Sequence, residues 1–291
     1  MPPIADNGTS SVDAISTRYR KAVERRSSWR DTWRDCYANA LPQRESSIEA
    51  SAPGGIKTAT LYDGTAPDAV EQLAASLLSE LTPPRSRWFA LAPGREMQDI
   101  DDDERDEIDA SLEDTSERIR DHFERSNFAV EIHQAYLDLV TVGTASLLFE
   151  EAPLGEASAF RFTAVPLGQV AFEEGDDGRL ETTFRQNSLT REQLRRRFPG
   201  ITDPGKSSGE SPDKTMSVVE SVIRETNGRF RYAAFTAGDD SSIESDPSRK
   251  TIAEGWFERS PFINFRWMKV PGEVYGRSPV MKALPDIQTA N

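Results

Sequence analysis

A single cysteine, Cys36, stands among the 291 residues. One thiol excludes an internal disulfide framework and a cysteine-based metal site, and it suits a reducing compartment. Histidine is almost as scarce: His122 and His133 are the only two, eleven positions apart on separate helical patterns. They make a poor start for a metal ligand set or for a nucleophile–histidine pair. No apolar run nears the roughly 20 residues that span a bilayer. The opening MPPIADNGTS lacks the positive segment and apolar stretch of a secretory signal. Lysine is short too, 7 residues against 28 Arg, within 35 basic and 49 acidic residues and a net charge of −14. An acidic chain is a poor gripper of nucleic acid, because that grip comes from neutralising phosphates. The arginine fork binds carboxylates bidentately, so the bias suits a chain that lives in Arg–carboxylate contacts.

What is present argues for a folded protein. The 14 Phe, 6 Tyr and 5 Trp are too many for a disordered chain, and the length suggests about two domains of roughly 150 residues. Ile15, Tyr19, Val23, Trp29, Trp33, Cys36, Tyr37 and Leu41 recur at helical spacing, predicting one helix over 12–41 that Pro42 ends. A second helix opens at Thr65, read as its cap, with Val70, Leu73, Ala74, Leu77, Leu78 and Leu81 as the buried stripe. Pro83-Pro84 stops it, and RSRWFALAPG reads as extended. Eight acids crowd 99–109, the start of a third helix carrying Ile108, Leu112, Ile119 and Phe123. Acids there suit the helix dipole; an acidic functional patch is the other reading. Asn127 is read as the cap of a fourth helix ending at Gly143.

The period then shortens. SLLFEEA, AFRFTAVPLGQVAFEE and RLETTFRQ read as strands, with a hairpin at Asp176-Asp177-Gly178. SLTREQLRRRF is a short helix with a Thr190/Gln193 capping box. Residues 199–215 form a loop, MSVVESVIRE and RFRYAAFTA a second hairpin about Asn227-Gly228, and 237–250 another polar loop. Strands at about 251–257 and 262–268 precede a helix announced by Ser278-Pro279. The class is α+β.

Little chemistry is offered. Gly200-Ile-Thr-Asp-Pro-Gly205-Lys206-Ser207 matches the phosphate-loop pattern. Its context is wrong, since that loop leaves a buried strand and opens a helix, whereas this one follows LRRRF and precedes SSGESPDKT. Arg195-Arg196-Arg197 reads as a solvated face, or as a contact for phosphate or an acidic neighbour. No catalytic constellation, metal site or cofactor site emerges, and an enzyme is not expected.

Four ordered segments are specific. LYDGTAPDAVEQLAASLLSELTPPRSRWFAL, DLVTVGTASLLFEE, FTAVPLGQVAFEEGDDGRLETTFR and PFINFRWMKVPGEVYGRSPVMKALPDIQTAN together resemble the head-to-tail connecting (portal) proteins of short-tailed double-stranded DNA bacteriophages. The matching positions are Thr65, Ala66, Leu81, Thr82, Pro83, Pro84, Arg87, Trp88 and Phe89; Gly143 and Thr144; and Arg266, Trp267, Tyr275, Gly276, Pro279 and Asp286. Members of that family continue past the last block, so the chain is similar to about their N-terminal half.

The resemblance implies a portal-protein fold: wing at 1–187, first stem helix and loop at 188–210, clip at 211–270, and the start of the second stem helix at 271–291. It implies a subunit of a dodecameric ring at one capsid vertex of the virion, assembled in the host cytoplasm. Its partners would be terminase, tail adaptor, major capsid and scaffolding proteins, and double-stranded DNA passing through during packaging and ejection. An acidic channel wall suits passage without binding. The clip expectation rests partly on length: 211–270 is too short to bury its own core, so its strands are expected to pair with neighbouring copies. Arg229, Arg231, Asp239 and Asp240 are the candidate partner contacts there. A P-loop nucleotide hydrolase, working through Gly200–Ser207, and an acidic capsid adaptor or scaffold of another family are the alternatives.

Overall fold

The computed structural model describes residues 12–47, 61–94, 101–200, 215–236 and 251–291. The chain begins with two helices, α1 (Val12–Ser27) and α2 (Arg30–Ala40), rather than the single helix expected over 12–41. The break has a local cause: Ser27 and Ser28 turn their hydroxyls back onto the carbonyls of Glu24 and Arg25 at 2.6 and 2.9 Å, an alternative to continuing the helix. It also lets the two apolar faces reach different layers. Ile15 and Ala22 of α1 pack with Phe184, Val219 and Ile223, while Trp33, Cys36, Tyr37 and Ala40 of α2 enter the main core.

Three long helices follow: α3 (Thr65–Leu81), α4 (Asp102–Arg125) and α5 (Phe128–Val142). Two of their expected caps differ. The backbone N–H and hydroxyl of Thr65 both donate to Asp63 Oδ1, at 2.9 and 2.7 Å, so Asp63 secures the start of α3. Asn127 holds the N-cap position of α5 as expected, but its side chain makes no capping bond; its amide clamps both backbone groups of Phe162 at 2.8 and 2.9 Å. Ser126 Oγ instead accepts the N–H of Phe128. The stripe on α3 fades toward its end, from buried Val70 and Ala74 to Leu81, which is 55% exposed. Leu77 and Leu78 are still half-buried against the core, so within the last turn it is Leu81 that faces out.

Strands β1 (Thr144–Glu151) and β2 (Phe160–Ala164) form two thirds of a small antiparallel sheet. A five-stranded antiparallel meander then runs in chain order through β3 (Val170–Glu174), β4 (Leu180–Thr190), β5 (Thr215–Arg224), β6 (Phe230–Thr236) and β7 (Thr251–Phe257). Between β4 and β5 lies α6 (Arg191–Arg197), one short helix closed by the expected Thr190/Gln193 capping box. β8 (Phe262–Arg266) leaves the meander and returns to β1, completing the order β2-β1-β8 with Thr144 opposite Arg266 and Leu148 opposite Phe262. α7 (Pro279–Ala290) ends the described fold, with Ser278 Oγ accepting the N–H of Met281.

The premise behind the expected inter-copy pairing, that the strands of 211–270 lack partners and a core within their own chain, is corrected here. β5 pairs with β4 on one side and β6 on the other, within one chain. Val222 joins the main core, and Val219, Ile223 and Phe235 pack with α1. The position 187/188 lies inside β4, so the sheet runs without interruption across it.

Candidate functional site

The specific residues of the sequence gather at one joint. Gly143 closes α5 in the left-handed conformation, φ 76°, which glycine adopts without steric cost. Its carbonyl accepts the N–H of Trp267 at 2.9 Å. The next residue, Thr144, is buried and accepts the N–H of Gly276 on its hydroxyl at 2.8 Å. The two glycines let these backbones touch: a Cβ on Gly143 would lie 2.4 Å from the Gly276 carbonyl oxygen, and one on Gly276 would lie 2.2 Å from the Gly143 oxygen. Ser278 donates to the Thr141 carbonyl at 2.8 Å, fixing the start of α7, whose first residue is Pro279, against the end of α5.

Side chains tighten the same joint. Tyr275 is buried edge-on against Trp33, ring centroids 4.9 Å apart, with Phe172 at 5.7 Å. Arg266 donates to Glu174 at 2.6 Å, to the Gly178 carbonyl at 2.6 Å and to the Val274 carbonyl at 3.0 Å. It thereby ties the β3–β4 hairpin to β8. Burial alone would raise the Glu174 carboxyl, but hydrogen bonds and charge from Arg266 and Lys269 outweigh it and hold the group below its ordinary value. Trp267 takes part through its backbone N–H and is itself 41% exposed. Thr65 and Ala66 face Pro279 and Asp286 across a cleft of about 360 Å³ between α3 and α7, floored by Val70, Val140 and Val280.

The other signature residues sit apart from that joint. Thr82 meets the Tyr136 hydroxyl at 3.2 Å, and Pro83-Pro84 turn the chain. Arg85 follows with φ 63°. Trp88 is half-buried, stacked on Phe128 at 5.8 Å and 8°, with Phe123 and Phe89 edge-on.

The partner contacts expected in 211–270 fare differently. Arg231 is buried and faces Glu254 at 3.6 Å, so it is a sheet residue rather than an exposed contact. Arg229 pairs with Glu258 at 2.9 Å and lies over the Trp256 ring. Asp239 and Asp240 fall outside the described residues. The phosphate-loop pattern follows helix α6, and all of it after Gly200 also lies outside them.

Two buried charge networks went unforeseen. In the first, Asp138 accepts from Tyr37 at 2.8 Å and faces Arg44 at 2.9 Å. Burial pushes the Asp138 carboxyl up, against the lowering by Arg44 and by the hydrogen bonds it receives. In the second, Glu220 on β5 accepts from Arg197 at 2.9 Å and from Tyr232 at 2.8 Å, and Arg197 also reaches Glu150 at 3.2 Å. Arg197 therefore departs from the solvated face expected of the arginine triple, while Arg196, 78% exposed, pairs with Glu192 on its own helix. An acid inside an apolar run is the visible signal in both cases, DLV around Asp138 and VVESVI around Glu220.

These contacts are mechanical. His122 Nδ1 accepts the Ala159 N–H, securing a turn. The one carboxylate trio close enough to share a cation among the described residues, Asp176, Asp177 and Glu181, lies on the β3–β4 turn, where Glu181 is engaged by Arg224.

Known proteins place this arrangement. The family model "Bacteriophage head to tail connecting protein" matches residues 12–291. A probable portal protein of Bordetella phage BPP-1 is 23% identical over 295 residues, covering 94% of this chain and 50% of that protein. The portal protein of Salmonella phage epsilon15 is 25% identical over 244 residues, covering 78% of this chain and 41% of its own length. The chain thus spans about half the length of the curated relatives it matches. With one family model covering almost every residue from α1 to α7, the chain belongs to the bacteriophage head-to-tail connecting proteins.

Proposed function

We propose that this chain is part of a portal subunit, a member of a dodecameric ring at one capsid vertex through which double-stranded DNA passes during packaging and ejection. The match of a connector family to residues 12–291 carries the reading. Two relatives that are named portal proteins support it. So does a net charge of −14, which suits a wall that conducts DNA without holding it. The family is a structural class, and no helix among the described residues is long and apolar enough to cross a membrane.

The ring holds terminase during packaging and the tail adaptor afterwards, and it is built into the shell with major capsid and scaffolding proteins. Residues 1–187 belong to the wing, and α7 begins the second stem helix. β7, which has no strand on its outer side among the described residues, and the polar segment 237–250 that precedes it in the sequence supply the terminase and adaptor face.

Electron-microscopic class averages and mass measurement of the full-length protein test the ring. Closed rings with a hole wide enough for duplex DNA are expected; monomers at high concentration and at every salt tested would overturn the reading. Deleting 237–248 should leave rings intact and weaken capture of terminase or adaptor in a pull-down. Equal capture by deleted and intact rings would move the docking face elsewhere.

A further inference from the structure

Helix α4 is the least embedded element of the fold. It runs 24 residues from Asp102 to Arg125, and Ser116 is its only buried residue. Its two ends differ in charge. Residues 101–109 hold seven acids and one arginine, all seven acids exposed. The helix dipole accounts for acids in the first turn, where Asp102, Asp103 and Glu104 stand. That effect fades within one turn, so Asp106, Glu107 and Asp109 have no such reason to be there.

The far end of α4 borders a cleft of about 360 Å³ with a contrasting lining. Trp88, Phe123 and Phe128 form its aromatic wall, and Arg85, Arg120 and Arg125 surround it, with Glu124 as the acid among them. Arg120 and Arg125 have only loose partners on their own helix, Glu117 at 3.5 Å and Asp121 at 3.6 Å. Arg85 holds a left-handed backbone, φ 63°, a conformation unfavourable for a residue with a side chain and concentrated at functional sites. A basic, aromatic cleft is out of keeping with a chain of net charge −14.

The acidic run and the basic cleft complement each other but cannot meet within one chain. Asp102 and Arg120 are held about 27 Å apart along one continuous helix. We infer that the acidic first turns of α4 from one copy dock at the Arg85–Arg120–Arg125 cleft of the next copy. The contact joins unlike surfaces head to tail, the kind of interface that closes into a ring when its rotation permits. The inference rests on the ring reading above and names the surfaces that would join its subunits.

Charge reversal in the full-length protein tests it. One variant carries Arg120→Glu with Arg125→Glu, the other Asp103→Lys, Asp106→Lys, Glu107→Lys and Asp109→Lys, which together make the run at 101–109 net basic. Each alone sets like charges against each other at every junction, and each should raise the protomer concentration for half-assembly by about tenfold or more. An equimolar mixture should recover rings, because each variant's acidic or basic end then finds its opposite on the other. Wild-type-like assembly by either variant, or no recovery on mixing, would overturn the inference.

A second measurement covers the case in which reversal disturbs folding. Ser86→Cys with Asp103→Cys, in otherwise unaltered subunits, should give a disulfide-linked ladder on oxidation of assembled rings. Intact rings with no ladder would equally overturn the inference, and leave the ring itself standing. Absence of rings from the unaltered protein would instead sink the portal reading.

Discussion

Helices α4 and α5 are neighbours in sequence and opposites in use. Ten of the fifteen residues of α5 are buried, against one of twenty-four in α4. α5 packs against α3, β1 and α7 and ends at the glycine joint. α4 keeps its charges in solvent, paired mainly along its own length, as Arg118 is with Asp114 and Arg125 with Asp121. The two helices thus divide sharply: one is consumed by the core, the other stands almost wholly at the surface.

The contrast is broken most severely at the joint. Gly143→Ala or Gly276→Val places a side-chain carbon against backbone that has nowhere to move, and at Gly143 also demands a left-handed alanine. A loss above about 4 kcal/mol is expected, read as insoluble protein or collapse of the unfolding midpoint in denaturant. A soluble variant of near wild-type stability would show that the joint opens freely.

Next in size is Asp138→Ala within α5. It strands Arg44 and Tyr37 in a buried site, and breaking a buried pair from one side costs about 3–5 kcal/mol. A change below about 1 kcal/mol in denaturant titration would mean that water replaces the carboxylate. Trp88→Ala should cost less than the about 3–5 kcal/mol of a fully buried tryptophan, because its ring is half-exposed. The protein should therefore stay soluble, with a lowered melting temperature. A variant that fails to fold would place Trp88 among the core residues after all.

The pH dependence is smaller. Glu174 is held below its ordinary value, so the native state binds that proton less readily than the unfolded chain. Its contribution is present above the ordinary carboxylate range and is lost as pH falls through and below it. Asp138, raised, runs the other way and favours the native state on acidification. Glu174→Gln should flatten the acid side of the stability curve; an unchanged curve would show that Arg266 and Lys269 do not distinguish its charged form. Smallest of all, Asp114→Ala on exposed α4 should change stability by less than about 0.5 kcal/mol. A larger loss in the isolated subunit would end the contrast between the two helices.

Sequence legibility follows the same division. The α5 stripe of Ile132, Ala135, Tyr136, Leu139 and Val140 was readable because one helix faces one core, and Gly143 because a glycine after a periodic run marks a helix end. The Thr190/Gln193 box was readable because every partner lies within three residues. What stayed hidden depends on distant partners. Tyr37 and Asp138 are 101 residues apart, and local pattern carries no trace of that meeting. The strands at 251–257 and 262–266 look like neighbours, yet they enter different sheets. Gly276 was singled out only through family resemblance; its reason, a carbonyl pressed into the space of a missing Cβ, is visible only in three dimensions.

The return of β8 to β1 also sets an order of events during synthesis. The five-stranded meander joins strands that follow one another along the chain, so its hairpins can form as they emerge. The small sheet cannot close until the segment opposite Thr144, at Arg266, has been made, and the glycine joint must wait for Gly276. At ribosomal rates of about 5–20 residues per second, β1 and the end of α5 stand without their final partners for roughly ten seconds. Across that interval the edge of β1 that β8 will cover is a row of unpaired backbone groups open to other nascent chains nearby. Long-range closure is the slow step in folding, which makes this the window in which the chain is most open to mispairing or to help from a chaperone.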